Sequence, residues 1–194
     1  MTPTPPSAPL AHNPAVPTPF AMAFREATPD DAALVADLVN SAYRGDSSRQ
    51  GWTTEADLLQ GARTHADEVR GLILAPDSVV FLCVQTPGQD IIGCVHLQKK
   101  RDAAYLGMFV VRPGLQGGGI GKQFMHSAEQ RAQQLWGVKK IWMTVITVRQ
   151  ELIAFYERRG YQRTGRFQPF PSDNGKETML VENLQFEELE KILP

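Results

Sequence analysis

The chain has 194 residues, 42% apolar and 21% charged side chains and a formal net charge of −1, values ordinary for one globular domain with a sizeable core. The near-zero charge gives no electrostatic case for nucleic acid or an anionic membrane as the main partner. No apolar stretch is long enough to span a bilayer, and the N-terminus has neither the basic nor the apolar region of a secretory signal. The two cysteines are too few for a disulfide framework, so we expect a cytoplasmic protein.

The first 21 residues differ in composition from the remainder of the chain. Residues 1–20 contain seven of the fourteen prolines and no charged side chain. Proline lacks a backbone donor and favours the extended polyproline II conformation. We therefore predict a proline-rich tail over residues 1–21 and a folded domain over residues 22–194.

The folded domain begins with alternating helix and strand signals. Residues 22–26 are typical of a short strand, and Thr28 followed by Pro29 is typical of the start of a helix. A second helical region is predicted to start near Thr54, to be interrupted around Gly61, to restart at Thr64 and to end before Pro76.

A β-hairpin is predicted next, with strands over 78–85 and 91–97. If its turn centres on Gly88 and Gln89, Cys83 and Cys94 lie opposite each other across the strands. We interpret both as reduced, buried thiols, because free cysteine behaves as a small hydrophobic residue.

The second half continues the alternation and ends in strands. The expected elements are a strand over 105–111, a glycine-rich turn, a helix to about residue 135, a strand over 140–148, a helix over 152–159, and two strands over 161–167 and 177–183. The order βααβββαβαββ indicates a single α/β domain with a mixed sheet.

The glycine-rich turn between strand and helix is the strongest chemical signal. It runs from Gln116 to Lys122 and contains four glycines. Glycine permits positive φ and close approach of an anion, and the free N–H groups at a helix start favour phosphate. The alternative is a tight connection that binds nothing, and the glycines alone do not decide between the two.

Spacing separates three phosphate-binding motifs. A Walker A loop needs Gly at the position of Gln116 and Ser or Thr at that of Gln123, and a Rossmann fingerprint needs Gly at the position of Lys122. A third pattern, Gln/Arg-x-x-Gly-x-Gly/Ala after an apolar strand that ends in V-x-P, matches Gln116 to Gly121 at every position.

With this pattern, the sequence resembles the GNAT acetyltransferase superfamily over about residues 22–184. Two further segments carry the resemblance: R-E-A-T-P-D-D over 25–31 and A-F-Y-E-R-R-G-Y over 154–161. It implies a mixed sheet splayed at the acetyl-CoA site, with helices on both faces. The implied acetyl-CoA contacts are Phe109, Val110, Val111, Gln116, Gly117, Gly118, Gly119, Ile120, Gly121 and Lys122.

The resemblance implies an N-acetyltransferase in which an amine attacks the thioester directly, with Tyr156 as the general acid. Without the resemblance, Tyr156 would be interpreted as a core aromatic residue. The partners would be acetyl-CoA and a primary amine of a small molecule or protein, without a metal, and a homodimer stays open. A rival hypothesis is a catalytically weak acyl-CoA-binding sensor or interaction module of the same fold.

The acceptor side is less specific in the sequence. The strands over 105–111 and 140–148 carry no acid, so Glu55 and His96 are the candidate bases, and Trp52 joins them as a candidate substrate contact. Each has a structural alternative: His96 as an ordinary strand histidine and Glu55 as an acid at a helix start. Arg149 stands where relatives often carry an asparagine that contacts the cofactor.

Overall fold

The computed structural model describes residues 21–51, 53–171 and 177–194. The predicted tail over 1–21 therefore lies outside the described residues, except for Ala21, which begins the first strand. The strands are β1 Ala21–Glu26, β2 Leu59–Gly61, β3 Ser78–Thr86, β4 Ile91–Lys100, β5 Ala103–Val111, β6 Lys140–Ile146, β7 Gln162–Pro169, β8 Glu177–Met179 and β9 Gln185–Ile192. The helices are α1 Ala32–Tyr43, α2 Gly45–Ser48, α3 Ala66–Leu74, α4 Ile120–Trp136 and α5 Gln150–Glu157.

One seven-stranded sheet organises the domain. Its strand order is β1-β3-β4-β5-β6-β9-β7, and β5 with β6 is the parallel pair among otherwise antiparallel neighbours. Strands β2 and β8 form a separate antiparallel pair. The predicted single α/β domain with a mixed sheet is confirmed.

Helices cover both faces of the sheet, as expected. Val39 of α1 and Val69 of α3 are fully buried in one apolar cluster with residues of β3 and β4. Phe124 of α4 and Ile153 of α5 are buried in a second cluster, which includes other side chains of the same strands. This separation follows from the alternation of side chains along a strand.

The predicted start of the first helix is confirmed. Thr28 is the N-cap of a single 3-10 turn, Pro29–Asp31, which leads into α1. The Thr28 N–H donates to the Asp31 carboxylate at 2.7 Å, and the Arg25 guanidinium donates to both Asp31 oxygens at 2.7 and 2.8 Å. The hydrogen bond from Arg25 lowers the pKa of Asp31 to about 2.

The hairpin forms as predicted, but its register differs by one residue. Cys83 pairs with Gly93 and Cys94 pairs with Leu82, and the register shifts again after Cys83. Since neighbouring positions on a strand face opposite sides, the two thiols lie in different apolar clusters. Both cysteines are free and buried, whereas the prediction that they face each other was wrong.

The helix predicted near Thr54 was wrong. The chain forms turns there and then the short strand β2, which ends at Gly61 with φ 105°. The Glu55 side chain is buried in ion pairs with distant arginines, a tertiary contact that overrides the local helical pattern. Helix α3 follows, with His65 rather than Thr64 as N-cap, and ends before Pro76 as predicted.

The last strand was also misplaced. Strand β8 ends early, Asn183 takes φ 57°, and the main strand, β9, begins at Gln185. Its inward position Glu187 is 2% exposed and accepts a hydrogen bond from the Arg163 guanidinium at 2.8 Å. A buried acid breaks the apolar alternation that marks a strand, so the pattern hid this element.

Candidate active site

The two parallel strands β5 and β6 diverge soon after they meet. They pair at Ala104 with Ile141 and at Tyr105 with Trp142. Beyond these two pairs, the described residues of the two strands do not pair with each other. From Tyr105 onward, the edge of β5 that faces β6 therefore borders a gap. This is the splay that the resemblance implied.

A β-bulge distorts β5 beside this gap. His96 pairs with Gly107 and Cys94 pairs with Val110, so Met108 and Phe109 together oppose a single residue of β4. Met108 takes φ 52°, unusual for a residue with a side chain. Bulges are frequent next to active sites, where they redirect backbone groups.

Side chains from two other segments close onto the gap edge of β5. The Tyr43 hydroxyl donates to the Phe109 carbonyl at 3.0 Å, and the Gln116 amide donates to the Val111 carbonyl at 2.9 Å. Both carbonyls of this edge thus have donors. Residues alternate in hydrogen-bonding direction along a strand, so the N–H groups of Phe109 and Val111 face the gap as well.

A cavity of about 530 Å³ lies between the glycine-rich turn and α5. Gly117 and Gly119 border it with φ 91° and 83°, and a Cβ on either would meet open space. The N–H groups of Gly119, Ile120 and Gly121 have no backbone acceptor in the described part of the chain. Such groups at a helix start are suited to an anion.

Three cationic side chains line the same cavity, namely Lys122, Arg158 and Arg159, against the single acid Glu151. The Arg159 guanidinium lies 3.3 Å from the centre of the Phe155 ring and donates to the Phe155 carbonyl at 2.6 Å. Burial and the neighbouring charge of Arg158 lower the pKa of Arg159. The cavity therefore combines apolar walls with an excess of positive charge.

Of the ten predicted cofactor contacts, seven line this larger cavity: Phe109, Val111, Gln116, Gly117, Gly119, Gly121 and Lys122. The other three do not. Val110 is buried on the opposite face of the sheet, and Ile120 is buried in the core under α4. Gly118 stands between two lining glycines in the sequence but is not itself a lining residue.

A second cavity, of about 290 Å³, lies between β5, β6 and the segment around Glu55. It shares Tyr43, Phe109 and Leu152 with the larger cavity. The bulged part of β5 therefore stands where the two cavities meet.

Tyr156 lines the smaller cavity from α5. It is 5% exposed, and its hydroxyl makes no hydrogen bond with any residue that the structure describes. Burial, followed by the proximity of Tyr43, raises the pKa of Tyr156 well above the ordinary phenol value. The side chain is therefore a neutral hydroxyl that faces the site.

Glu55 holds a buried charge network at the opposite wall. Its two oxygens accept from the Arg44 guanidinium at 2.6 Å and from the Arg149 guanidinium at 2.8 Å. Arg149 also donates to the Thr53 carbonyl at 2.6 Å and lies over the Tyr43 ring. Arg149 lines the smaller cavity rather than the larger one.

Thr53 connects this network to the glycine-rich turn. Its hydroxyl accepts from the Gln116 amide at 3.1 Å, while its carbonyl accepts from Arg149. Gln116, the first residue of the turn, and Arg149 of the smaller cavity are therefore joined through one residue.

The remaining predicted contact within the described residues, His96, lies elsewhere. His96 is on β4, hydrogen-bonded to the Ser78 hydroxyl at 2.9 Å, and lines neither of the two cavities. Burial lowers its pKa to about 4. Trp52 lies outside the described residues.

Several lining residues were not predicted from the sequence, chiefly Tyr43, Thr53, Arg63, Arg158 and Arg159. The adjacent pair Arg158 and Arg159 was visible in the sequence, directly after Glu157. A helix C-terminus also favours cations, however, so the pair alone did not point to a ligand.

The part of the chain that forms most of this site matches a known protein family. A model of the acetyltransferase (GNAT) family matches residues 32–161, more than half of the chain. The matched span includes β5, the glycine-rich turn and α5. No curated protein matches the sequence.

Solved structures share the fold at low sequence identity. A chimera of Vibrio cholerae spermidine N-acetyltransferase SpeG and hSSAT has a TM-score of 0.65 at 16% identity, covering 88% of this chain and 95% of its own. The Escherichia coli ribosomal-protein-S18-alanine N-acetyltransferase has a TM-score of 0.65 at 12% identity, covering 89% and 94%. A GNAT-family acetyltransferase from Streptococcus pneumoniae has a TM-score of 0.61 at 17% identity, covering 90% and 100%.

Among the described helices, none combines the length and the apolar character that crossing a bilayer requires.

Proposed function

The chain belongs to the acetyltransferase (GNAT) family, and from that premise we propose that it transfers an acetyl group from acetyl-CoA to a primary amine within a ternary complex. The amine nitrogen forms a bond to the thioester carbonyl carbon, the carbon–sulfur bond breaks, and the thiolate takes up a proton. The amine releases one proton. No covalent bond to the protein is needed.

The gap edge of β5 carries this proposal. Its carbonyls at Phe109 and Val111 already accept from Tyr43 and Gln116, so the backbone offers chiefly N–H donors to the gap. Donors fixed in place stabilise negative charge that develops on a carbonyl oxygen, and they need no reorganisation during the reaction. The edge lies where the two cavities meet, as transfer between two ligands requires.

The larger cavity suits the phosphate-bearing part of acetyl-CoA. Free N–H groups at the start of α4 can hold a pyrophosphate, while Lys122, Arg158 and Arg159 supply charge around it. Arginine can bind phosphate through two parallel hydrogen bonds, whereas lysine acts as a point charge.

Tyr156 is the proposed proton donor to the thiolate. A phenol and a thiol have ordinary pKa values near ~10 and ~8.5, so transfer is mildly uphill in water. Burial raises the pKa of Tyr156, and it raises that of a thiol in the same site by the same desolvation. Both shifts are upward, so the shift of the leaving group offsets part of the shift of the donor.

We assign Glu55 to positioning the acceptor side. Both its oxygens are held by guanidinium groups, so the carboxylate fixes Arg149 at the wall of the smaller cavity. Neither β5 nor β6 carries an acid, so we propose that the amine loses its proton to water in the smaller cavity.

The test is a two-stage assay on the full chain. Acetyl-CoA should raise the melting temperature and ATP should not, because a ligand of the native state stabilises it. A panel of amines should then release free thiol, with acetylated product detected by mass spectrometry. Stabilisation by ATP alone would contradict the proposed enzymatic function. Acetyl-CoA binding without thiol release for any amine would contradict it as well, and would leave an acyl-CoA-binding module.

A further inference from the structure

Among the described residues that line the smaller cavity, positive charges outnumber negative ones. Glu55, Arg63 and Arg149 line it, and Arg44 stands behind Glu55. The single carboxylate is already bonded to two of the three guanidinium groups. A ligand entering this cavity meets more positive than negative charge, so a second cation on the ligand is disfavoured there.

Arg63 is the guanidinium that remains available. Its backbone N–H donates to the Asn40 side chain at 2.8 Å, which fixes the chain between β2 and α3. Its exposed side chain has no hydrogen bond or ion pair with the residues that the structure describes. Burial and the charge of Glu55 raise the pKa of Tyr43, whereas Arg149 and then Arg63 lower it. Both guanidinium groups therefore lie within electrostatic reach of one hydroxyl at the junction of the cavities.

The remaining walls of the smaller cavity are apolar and aromatic. Phe170 and Phe186 pack with ring centres 5.0 Å apart, and Leu59, Met143 and Leu152 are among the other lining residues. At about 290 Å³ the cavity is near the small end of ligand sites, which span ~300–1,000 Å³. Its size and walls favour a small molecule with an apolar body.

We infer that the acceptor is a free amino acid with an apolar or aromatic side chain, whose carboxylate is bound by Arg63 together with Arg149. The inference rests on the proposed acetyl transfer and specifies its substrate class. A polyamine places a second positive charge where the cavity already has an excess, and the amine of a polypeptide lacks the neighbouring free carboxylate.

The first experiment compares acceptors that differ in one group. L-phenylalanine and L-methionine are tested against their primary amides, against spermidine and against a lysine-containing peptide, with acetyl-CoA saturating. The amides have less basic amines and so offer more of the neutral nucleophile, which alone would make them faster. We expect the free acids to exceed the amides in kcat/KM by roughly 10- to 100-fold, the size of a charge-assisted bidentate contact.

The second experiment changes the protein. Arg63→Gln should raise KM for L-phenylalanine by roughly 10-fold, with kcat and acetyl-CoA affinity within a few-fold, whereas Arg63→Lys should recover part of the loss. Arg70→Gln is the matched control, since Arg70 is an exposed arginine of α3 that lines neither cavity.

The outcomes separate the inference from the proposed function. Acetylation of spermidine or the peptide in preference to the free acids would overturn the inference and leave acetyl transfer standing. Three other results would also overturn the inference. They are equal activity on the free acid and its amide, an unchanged KM in Arg63→Gln, and acetyl-CoA binding with neither acetylation of nor thermal stabilisation by either amino acid. Failure of acetyl-CoA itself to bind would remove the proposed function.

Discussion

The two cavities are built in different ways. The larger one is lined mainly by β5, one glycine-rich turn and α5, and the groups in it that suit an anion include backbone N–H groups of consecutive residues. The smaller one draws on residues from Tyr43 to Phe186, and its polar wall is a buried network between Glu55 and two distant arginines. Backbone groups depend on chain conformation, whereas the network depends on long-range packing. We therefore expect the first site to be fixed by local sequence and the second to vary with the fold around it.

Gly119→Asp should have the largest effect and act on the larger cavity alone. Gly119 has φ 83° and faces open space, so a carboxylate there would replace charge-assisted hydrogen bonds to phosphate with repulsion. We expect acetyl-CoA affinity to fall by roughly 10³-fold, measured by calorimetry or thermal shift.

Gly114→Asp is the matched control for this change. Gly114 also has positive φ, 84°, and open space around it, but it does not line the cavity. The acetyl-CoA affinity of this variant should stay within a few-fold of the wild-type value. Equal losses in both variants would show that backbone strain, and not anion binding, causes the effect.

His96→Gln should change the pH dependence of stability without changing substrate binding. The pKa of His96 is about 4 in the folded state, lowered by burial and by Lys100, against about 6.5 unfolded. Between these values the unfolded state binds more protons, so the free energy of unfolding should fall by about 3 kcal/mol as pH drops from ~6.5 to ~4. Asp31, with a pKa of about 2, acts below this window.

In the His96→Gln variant this fall in the free energy of unfolding should disappear, because glutamine can keep the hydrogen bond to Ser78 without titrating. Urea unfolding at several pH values measures it. Both KM values should be unchanged; a raised acceptor KM would instead support the sequence-based assignment of His96 to substrate binding.

The same contrast explains what the sequence could predict. The strand, the glycine-rich turn and the start of α4 are adjacent in the chain, so spacing predicted them together. The contact between Glu55 and Arg149 spans 94 residues and has no local signature. Strand β9 was missed for a related reason, since Glu187 is stabilised by Arg163 from another strand. Buried ion pairs place polar residues at inward positions and so erase the periodicity used to predict elements.

Tyr156→Phe tests the proposed proton donor, which lines the smaller cavity. The variant keeps the ring and its packing but removes the hydroxyl, so kcat should fall roughly 10²-fold with little change in acetyl-CoA affinity. Because burial raises the pKa of Tyr156, the wild-type profile should show no loss of rate from its ionisation below pH ~10.

Tyr161→Phe serves as the comparison, since Tyr161 is a buried phenol, hydrogen-bonded to the Met125 sulfur, that lines neither cavity. It should cost some stability and leave kcat within a few-fold. Full activity in Tyr156→Phe would leave water as the proton donor.

Thr53→Val should have the smallest effect and tests whether the two cavities act independently. The Thr53 hydroxyl accepts from Gln116 at 3.1 Å, while the Thr53 carbonyl, which valine retains, accepts from Arg149. Valine also removes the long bond, 3.4 Å, that the Thr53 hydroxyl donates to the Ala42 carbonyl. Gln116 keeps its bond to the Val111 carbonyl, so Gln116 itself loses one neutral hydrogen bond, about 1 kcal/mol or roughly five-fold in acetyl-CoA KM.

The acceptor KM decides the question. If Thr53 transmits the position of the glycine-rich turn to Arg149, the acceptor KM should rise by a similar factor, and varying both substrates in a matrix measures the coupling. Thr54→Val removes a neighbouring hydroxyl, bonded to Ser48 at 2.6 Å, that lines neither cavity, and should change neither KM. A rise confined to the acetyl-CoA KM would show that the two cavities share lining residues without being energetically coupled. The backbone alone would then hold Arg149 in place.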